Sequence, residues 1–292
     1  MTLLGSHRVA VDIGGTFTDV VLENGNELVT AKVLTTSSAP EEGVVRGIQG
    51  VLSEAGIVPQ DVSMFLHGTT LATNAIIERK GATTALITTD GFRDVIEIGY
   101  ESRYNQYDIL IDKPAPLVPR ERRFTVPERV DINGRILREL DETAVKDLIP
   151  KVLQAGVESI AVGFLHGYAN SQHERRVAEI IGGAHPGLSI TLSAEVCPEI
   201  REFERLTTAT ANAYVRPLMS RYLDNLKLQL DEIGLSCPVL LMTSGGGLTT
   251  LETASKFPIR LVESGPAGGA ILASGIADDL NLNQVISFDM GG

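Results

Sequence analysis

Cysteine is nearly missing. Cys197 and Cys237 are the only two in 292 residues, with no Cys-x-x-Cys pair. No His/Cys cluster surrounds them, which is poor material for a disulfide framework or a structural zinc site. Two free buried thiols in a reducing compartment are the expectation. Basic charge is also short, with 25 Lys and Arg against 37 Asp and Glu and a net charge of -12. An acidic surface repels phosphate backbones, so nucleic acid is not an expected partner. Any phosphate on such a chain must be held by backbone N–H groups, a metal ion or a few placed cations. No apolar run approaches the ~20 residues that a bilayer crossing needs. Met1 to His7 lack the basic-then-apolar order of a signal peptide. The expectation is a soluble, cytoplasmic protein without membrane contact. What the chain does have is 43% hydrophobic residues, enough for a sizeable core, and a length of more than one typical domain.

The apolar pattern is that of an α/β protein. Arg8 to Asp12 reads as a buried strand, Phe17 to Glu23 as a second and Glu27 to Leu34 as a third, with Asn24-Gly25 as a hairpin signal. Pro40 to Ala55 has helical spacing, closed by Gly56. Val62 to Leu66, Thr70 to Lys80 and Ala82 to Thr88 read as one βαβ unit. Residues 97–138 read as an inserted loop region with short strands. Helices are expected at 141–155 and 172–181, and strands at 157–165 and 188–193. From Ile200 to Ile233 the sequence is helix-like, with Pro217 expected to kink or split it. A strand at 238–242, a glycine turn at Ser244 to Gly247, a helix at 265–277 and a last strand at 285–289 complete the pattern. A domain boundary is drawn at 197/198.

One motif occurs twice. Val9-Ala-Val-Asp12-Ile-Gly14-Gly15-Thr16 and Ile286-Ser-Phe-Asp289-Met-Gly291-Gly292 are each an apolar strand, an Asp, one apolar residue and two glycines. Gly14 and Gly15 lack Cβ atoms, so backbone N–H groups can approach phosphate oxygens. Thr16 and Thr18 can add hydroxyl donors. Asp12 repels phosphate but can hold Mg2+ through a metal-bound water, with Asp289 doing the same from a second lobe. The first glycine turn leads into a strand. That argues against a P-loop or a Rossmann fingerprint, which need a helix there. The competing reading is a pair of tight hairpin glycines with no ligand.

Asp12-Ile-Gly-Gly-Thr-Phe-Thr-Asp19 is similar to the phosphate hairpin of actin/Hsp70/sugar-kinase-type ATPases. More segments resemble the hydantoinase A/5-oxoprolinase family. They are His67-Gly-Thr-Thr-Leu-Ala-Thr-Asn74, Glu78-Arg-Lys-Gly81, Thr89-Asp-Gly-Phe-Arg-Asp94 and Phe164-Leu-His-Gly-Tyr-Ala-Asn170. Arg201-Glu-Phe-Glu-Arg205, Asn212-Ala-Tyr-Val-Arg-Pro217, Glu263-Ser-Gly-Pro-Ala-Gly-Gly269 and Phe288-Asp-Met-Gly-Gly292 continue the match. The resemblance implies an actin-like (ribonuclease H-like) ATPase lobe over 1–197 with an antiparallel phosphate hairpin. Residues 198–292 would begin a second, similar lobe that family members continue past Gly292. It also implies ATP and Mg2+ as cofactors, and a hydrolase that opens a cyclic amide such as 5-oxoproline or a hydantoin by phosphorylating its carbonyl oxygen. A hydantoinase B-type subunit or domain would be the partner, in a homo- or hetero-oligomer. A ketone carboxylase subunit, a small-molecule kinase and a non-catalytic actin-like module are the alternatives.

Individual residues follow from position. His67 lies between a strand and a helix, where an imidazole can face a cleft as a substrate ligand or serve as a hydrogen-bonded turn residue. Asn74, one helical turn on, and Arg103, in the insertion, complete the expected substrate set. Thr69 and Thr70 suit helix caps as well as ligands. Gly265 and Gly268 open a helix whose N-terminal N–H groups suit an anion. His166 and the His173-Glu174 pair do not share one helical face, so no metal site is expected of them. Glu202, Glu204 and Arg205 read as a solvent-facing salt-bridge lattice.

Overall fold

A computed structural model describes residues 7–36, 38–100, 107–108, 110–111 and 113–288. Packing divides the chain into two units, residues 1–80 with 218–292, and residues 81–217.

The first unit opens with β1 (His7–Ile13), β2 (Phe17–Asn24) and β3 (Glu27–Leu34), an antiparallel meander. Gly25, at φ +63°, makes the tight turn between the last two. On β1 and β2, Val9, Val11, Ile13, Val20 and Leu22 alternate inward and are buried. Helix α1 (Pro40–Ala55) covers β2 and β3 with Val44, Ile48, Val51 and Leu52, and ends on Gly56 in the left-handed conformation. Next come β4 (Val62–Thr69), parallel to β1, and the short helix α2 (Leu71–Ile77).

The second unit holds β5 (Thr84–Thr89), α3 (Val95–Ile98), β6 (Arg123–Val126), β7 (Arg129–Val130), β8 (Ile136–Arg138) and α4 (Glu142–Gln154). It continues with β9 (Ser159–Gly163), α5 (Gln172–Ala184), β10 (Ser189–Leu192) and α6 (Ser193–Val196). A four-stranded sheet runs β10-β9-β5-β6, parallel throughout, while β7 and β8 form a small hairpin. Every residue of β5 and β9 is buried, as a parallel strand covered on both faces requires. Ile87, Ile160 and Val162 from this sheet pack with Val145 and Leu148 of α4 and Val177 and Ile181 of α5.

Helix α7 (Glu202–Glu232) passes through the division between the units, at Pro217. The chain then adds β11 (Val239–Met242), β12 (Leu248–Thr250), α8 (Leu251–Lys256) and α9 (Ser264–Asp279) to the first unit. Strand β11 pairs parallel with β4, giving a six-stranded sheet of order β12-β11-β4-β1-β2-β3.

Three expectations are corrected. Strands β4 and β5 lie in different sheets, so residues 62–88 are not a βαβ unit. Strand β4 instead pairs parallel with β1 on one side and with β11, far along the chain, on the other. Residues 239–250 complete the first sheet, so the packing units change at 80/81 and 217/218. Pro217 does not split the helix, because its missing N–H costs one hydrogen bond that a 31-residue helix absorbs. Residues 285–288 form no strand, since no neighbour pairs with them among the described residues.

Candidate nucleotide site

Strands β1, β4 and β11 are mutually parallel, so their C-terminal ends lie on one edge of the six-stranded sheet. Ligands of open α/β sheets bind at such an edge. Three segments meet it: Asp12 to Thr16 at the end of β1, Gly68 to Thr70 at the end of β4, and Thr243 to Gly247 after β11.

The first turn is fixed from both sides. Gly14 N–H donates to the Phe17 carbonyl at 2.9 Å, and Thr35 N–H donates to the Thr16 carbonyl at 2.9 Å. The Thr35 hydroxyl donates to the Gly14 carbonyl at 3.1 Å and stands 3.0 Å from the Thr18 hydroxyl. Gly15 and Thr16 remain exposed at the tip. Helix α2 is tied to the same point: Thr70 gives both its backbone N–H and its hydroxyl to the Ile13 carbonyl, each at 3.1 Å. Thr70 also accepts from the Asn74 amide at 3.2 Å. The Asn74 Nδ2 then faces Gly15, 3.6 Å from where a β-carbon would be.

Asp12 lies opposite Asp19 in the β1–β2 ladder and opposite Gly68 in the β1–β4 ladder. The residue is exposed to solvent on one side. Burial by the surrounding chain nonetheless raises its pKa above the usual carboxylate range, and the charge of Asp19 adds to the rise. Asp19 is paired with Lys32 at 2.7 Å. No hydrogen bond or ion pair compensates the Asp12 carboxylate among the described residues. A cation beside it would relieve both causes of the shift, so the donor set fits Mg2+ held through water. The second edge element is α9. Its N-cap, Glu263, adopts φ +64° and donates its N–H to the Thr73 hydroxyl of α2 at 3.3 Å. Gly265 and Gly268 lie in its first turns, with open space where a β-carbon would sit.

Two expected ligands turn inward. Thr18 is fully buried, on the same face of β2 as Val20 and Leu22, and its hydroxyl serves Thr35. It braces the turn and cannot reach a phosphate. His67 is 1% exposed, stacked on Phe65. Its Nδ1 faces the Val11 carbonyl at 3.3 Å and its Nε2 the Tyr222 hydroxyl at 2.7 Å. A carbonyl only accepts, so Nδ1 carries the proton and Nε2 accepts from Tyr222. Burial depresses the His67 pKa to about 4. It is a neutral core histidine, since the alternation of β4 puts it on the face with Phe65 and not at the cleft. Arg103, Asp289, Gly291 and Gly292 lie outside the described residues.

The solvent-facing lattice expected on α7 is also corrected. Arg205 is fully buried and donates to the Phe164 carbonyl at 2.7 Å, the Glu199 carbonyl at 2.9 Å and the Ser193 hydroxyl at 3.2 Å. Glu174, equally buried, accepts from Ser193 Oγ, Ala194 N–H and Phe164 N–H. Burial raises the Glu174 pKa against these bonds and the Arg205 charge. Gly68, Thr35 and Thr73 were missed. A glycine inside a strand marks a close approach, which was the available signal for Gly68.

Residues 8–183 match the hydantoinase/oxoprolinase N-terminal region, and residues 205–292 match the hydantoinase/oxoprolinase model that follows it. The chain belongs to the hydantoinase/oxoprolinase family. The alpha subunit of caprolactamase from Pseudomonas jessenii is 30% identical over 98% of this chain and 42% of its own length. The 5-oxoprolinase of Saccharomyces cerevisiae is 33% identical over 99% of this chain and 25% of its own. The chain thus spans less than half of these relatives. The crystal structure of the ATP-dependent caprolactamase superposes with a TM-score of 0.86 at 30% identity, over 98% of this chain and 42% of that one. Nucleotide-free acetone carboxylase superposes equally well, with a TM-score of 0.86 at 24% identity over 95% of this chain and 41% of that one, and shows the shared fold. The α/β architecture and its ATPase-type lobe are therefore those of the family. Among the described residues no helix is long and apolar enough to cross a membrane.

Proposed function

We propose that this chain supplies the first phosphate-binding lobe of an ATP-dependent hydrolase that opens a cyclic amide. The observation that carries the reading is the Asp12 carboxylate, without an ion-pair or hydrogen-bond partner among the described residues, beside the Gly14-Gly15 turn and its exposed tip, on the sheet edge where Asn74 also points. The relatives named above, an ATP-dependent caprolactamase and a 5-oxoprolinase, support the substrate class.

In this reading the N–H groups of Gly15 and Thr16 face the phosphates and the Asn74 amide adds a donor. The α9 N-terminus at Gly265 and Gly268 offers a second, positively polarised set. Asp12 holds Mg2+ through water, and Asp289, Gly291 and Gly292 contribute the matching motif of a second lobe. Bound Mg2+ would neutralise charge on the transferring phosphoryl group. His67 and Thr18 leave the ligand set and become supports, while Arg103 remains a proposed substrate contact.

An amide resists water because resonance stabilises it. Transfer of the γ-phosphoryl to the amide oxygen releases ADP and leaves an electrophilic carbon. Water adds to that carbon and the ring C–N bond breaks, leaving an acyl phosphate that a second water hydrolyses to the free carboxylate and inorganic phosphate. A second subunit or domain of the hydantoinase B type would complete the enzyme. The test is stoichiometry in the full-length protein with its partner: ADP should appear in step with ring-opened product from 5-oxoproline, a hydantoin or a lactam. Ring opening without ADP formation, or no ring opening of any of these, overturns the reading.

A further inference from the structure

The second unit contains a histidine with one buried ring nitrogen that has no hydrogen-bond partner. His173, in the first turn of α5, is 3% exposed. Its Nδ1 stands 2.8 Å from Glu128 Oε2. Glu128 is itself buried, and its other oxygen accepts from the Thr89 hydroxyl. Thr89 in turn accepts from Leu165 N–H at 2.9 Å. The carboxylate is therefore held in place from behind, and it can only accept. The proton of a neutral His173 sits on Nδ1, and the Nε2 lone pair points the other way.

That nitrogen is buried and has no hydrogen-bond partner. The residue itself lines a surface cavity of about 590 Å³, whose walls include Glu139, Glu142, Asn170, Ser171 and Arg176. The group facing it is the exposed carboxylate of Glu139, with Oε2 3.8 Å from Nε2. A proton on Nε2 would pair the ring with Glu139, and a metal ion between the two would join them in the same way. The neighbouring arginines are engaged elsewhere. Arg176 is taken by Glu142 and Glu179, and Arg175 is bonded to Ser171.

A histidine whose far nitrogen is fixed by a buried carboxylate is the arrangement that orients metal-binding imidazoles. We propose that His173 Nε2 and Glu139 bind a divalent transition metal ion of the zinc class on this face of the second unit. Imidazole nitrogen with carboxylate oxygen suits zinc better than Mg2+, which prefers oxygen alone. Among the described residues no three His, Cys, Asp or Glu side chains form a ready cage. The two protein ligands therefore leave the remaining positions to water, as in an exchangeable site. The proposal is independent of the nucleotide reading, because it shares no residue with it.

The experiment is equilibrium dialysis of the chelator-stripped full-length protein against Zn2+, with Mg2+ in excess to fill hard-oxygen sites. The parent should retain zinc, and Asp12→Asn should retain it equally. Glu139→Ala, a change at an exposed side chain, should weaken retention by about tenfold or more, since losing a direct ligand costs at least what losing its support does. His173→Gln should abolish it, with circular dichroism confirming that the fold persists. No zinc retention by the parent, or unchanged retention by Glu139→Ala, overturns the proposal.

Discussion

The carboxylate of Asp12 lies directly against the backbone of Gly68: a β-carbon on residue 68 would stand 2.7 Å from Oδ1. Any side chain there must push the carboxylate off its position, and Asp12 is the proposed metal-positioning group. Gly68→Ala should therefore lower ATP turnover of the full-length enzyme by about tenfold or more while leaving the fold intact, because small misplacements of catalytic groups are costly. Turnover equal to the parent would show that the Asp12 position does not matter.

Thr18 and Thr16 are two residues apart in sequence and opposite in environment. Thr18→Val removes the buried bond to Thr35 and should cost about 1 kcal/mol in urea unfolding. Thr16→Ala, at the exposed tip, should leave stability unchanged and weaken ATP binding. The reverse pattern would return Thr18 to the ligand set.

His67 should make stability fall with acid. Its folded pKa, about 4, lies below its ordinary value of 6.5. As pH drops through 6.5 the unfolded chain takes up a proton that the folded one refuses. Stability is full above that value and is lost progressively down to about pH 4, by about 3 kcal/mol. Comparing urea midpoints near pH 7 and near pH 4.5, His67→Asn should show a smaller decline than the parent. An equal decline would mean that His67 is protonated in the folded state.

Arg205 and Glu174 are buried around a shared Ser193. Arg205→Leu leaves Glu174 without its nearby charge and should cost about 3–5 kcal/mol. Adding Glu174→Gln to it should recover part of that loss, since a neutral amide is cheaper to bury. A double variant that is less stable by the sum of the two single effects would show that the groups are uncoupled.

Much of this was legible in the sequence because it is local. The three opening strands, α1 and the Asp12-to-Thr16 turn follow from period-two alternation, an Asn24-Gly25 hairpin and a Gly56 stop. The same alternation, applied strictly, places Thr18 with Val20 and Leu22, and His67 with Phe65. Polar chemistry drew attention to those two residues where their spacing pointed to the core. The pairing of β11 with β4 was not legible, because nothing local to Val239 identifies a strand so distant in sequence. The burial of Arg205 was hidden for a related reason: its acceptors are backbone carbonyls at Phe164 and Glu199, which no side-chain pattern reveals.

The central claim is that Asp12 positions the metal of an ATP-using site. It is tested most directly by measuring Mg2+-dependent ATP turnover of the full-length enzyme carrying Asp12→Asn, a substitution that keeps shape and removes charge. Loss of metal positioning should lower turnover about 100-fold or more, with the folded state unchanged by circular dichroism. Turnover within about tenfold of the parent would contradict the account, because the loss expected of a group that positions the metal is far larger.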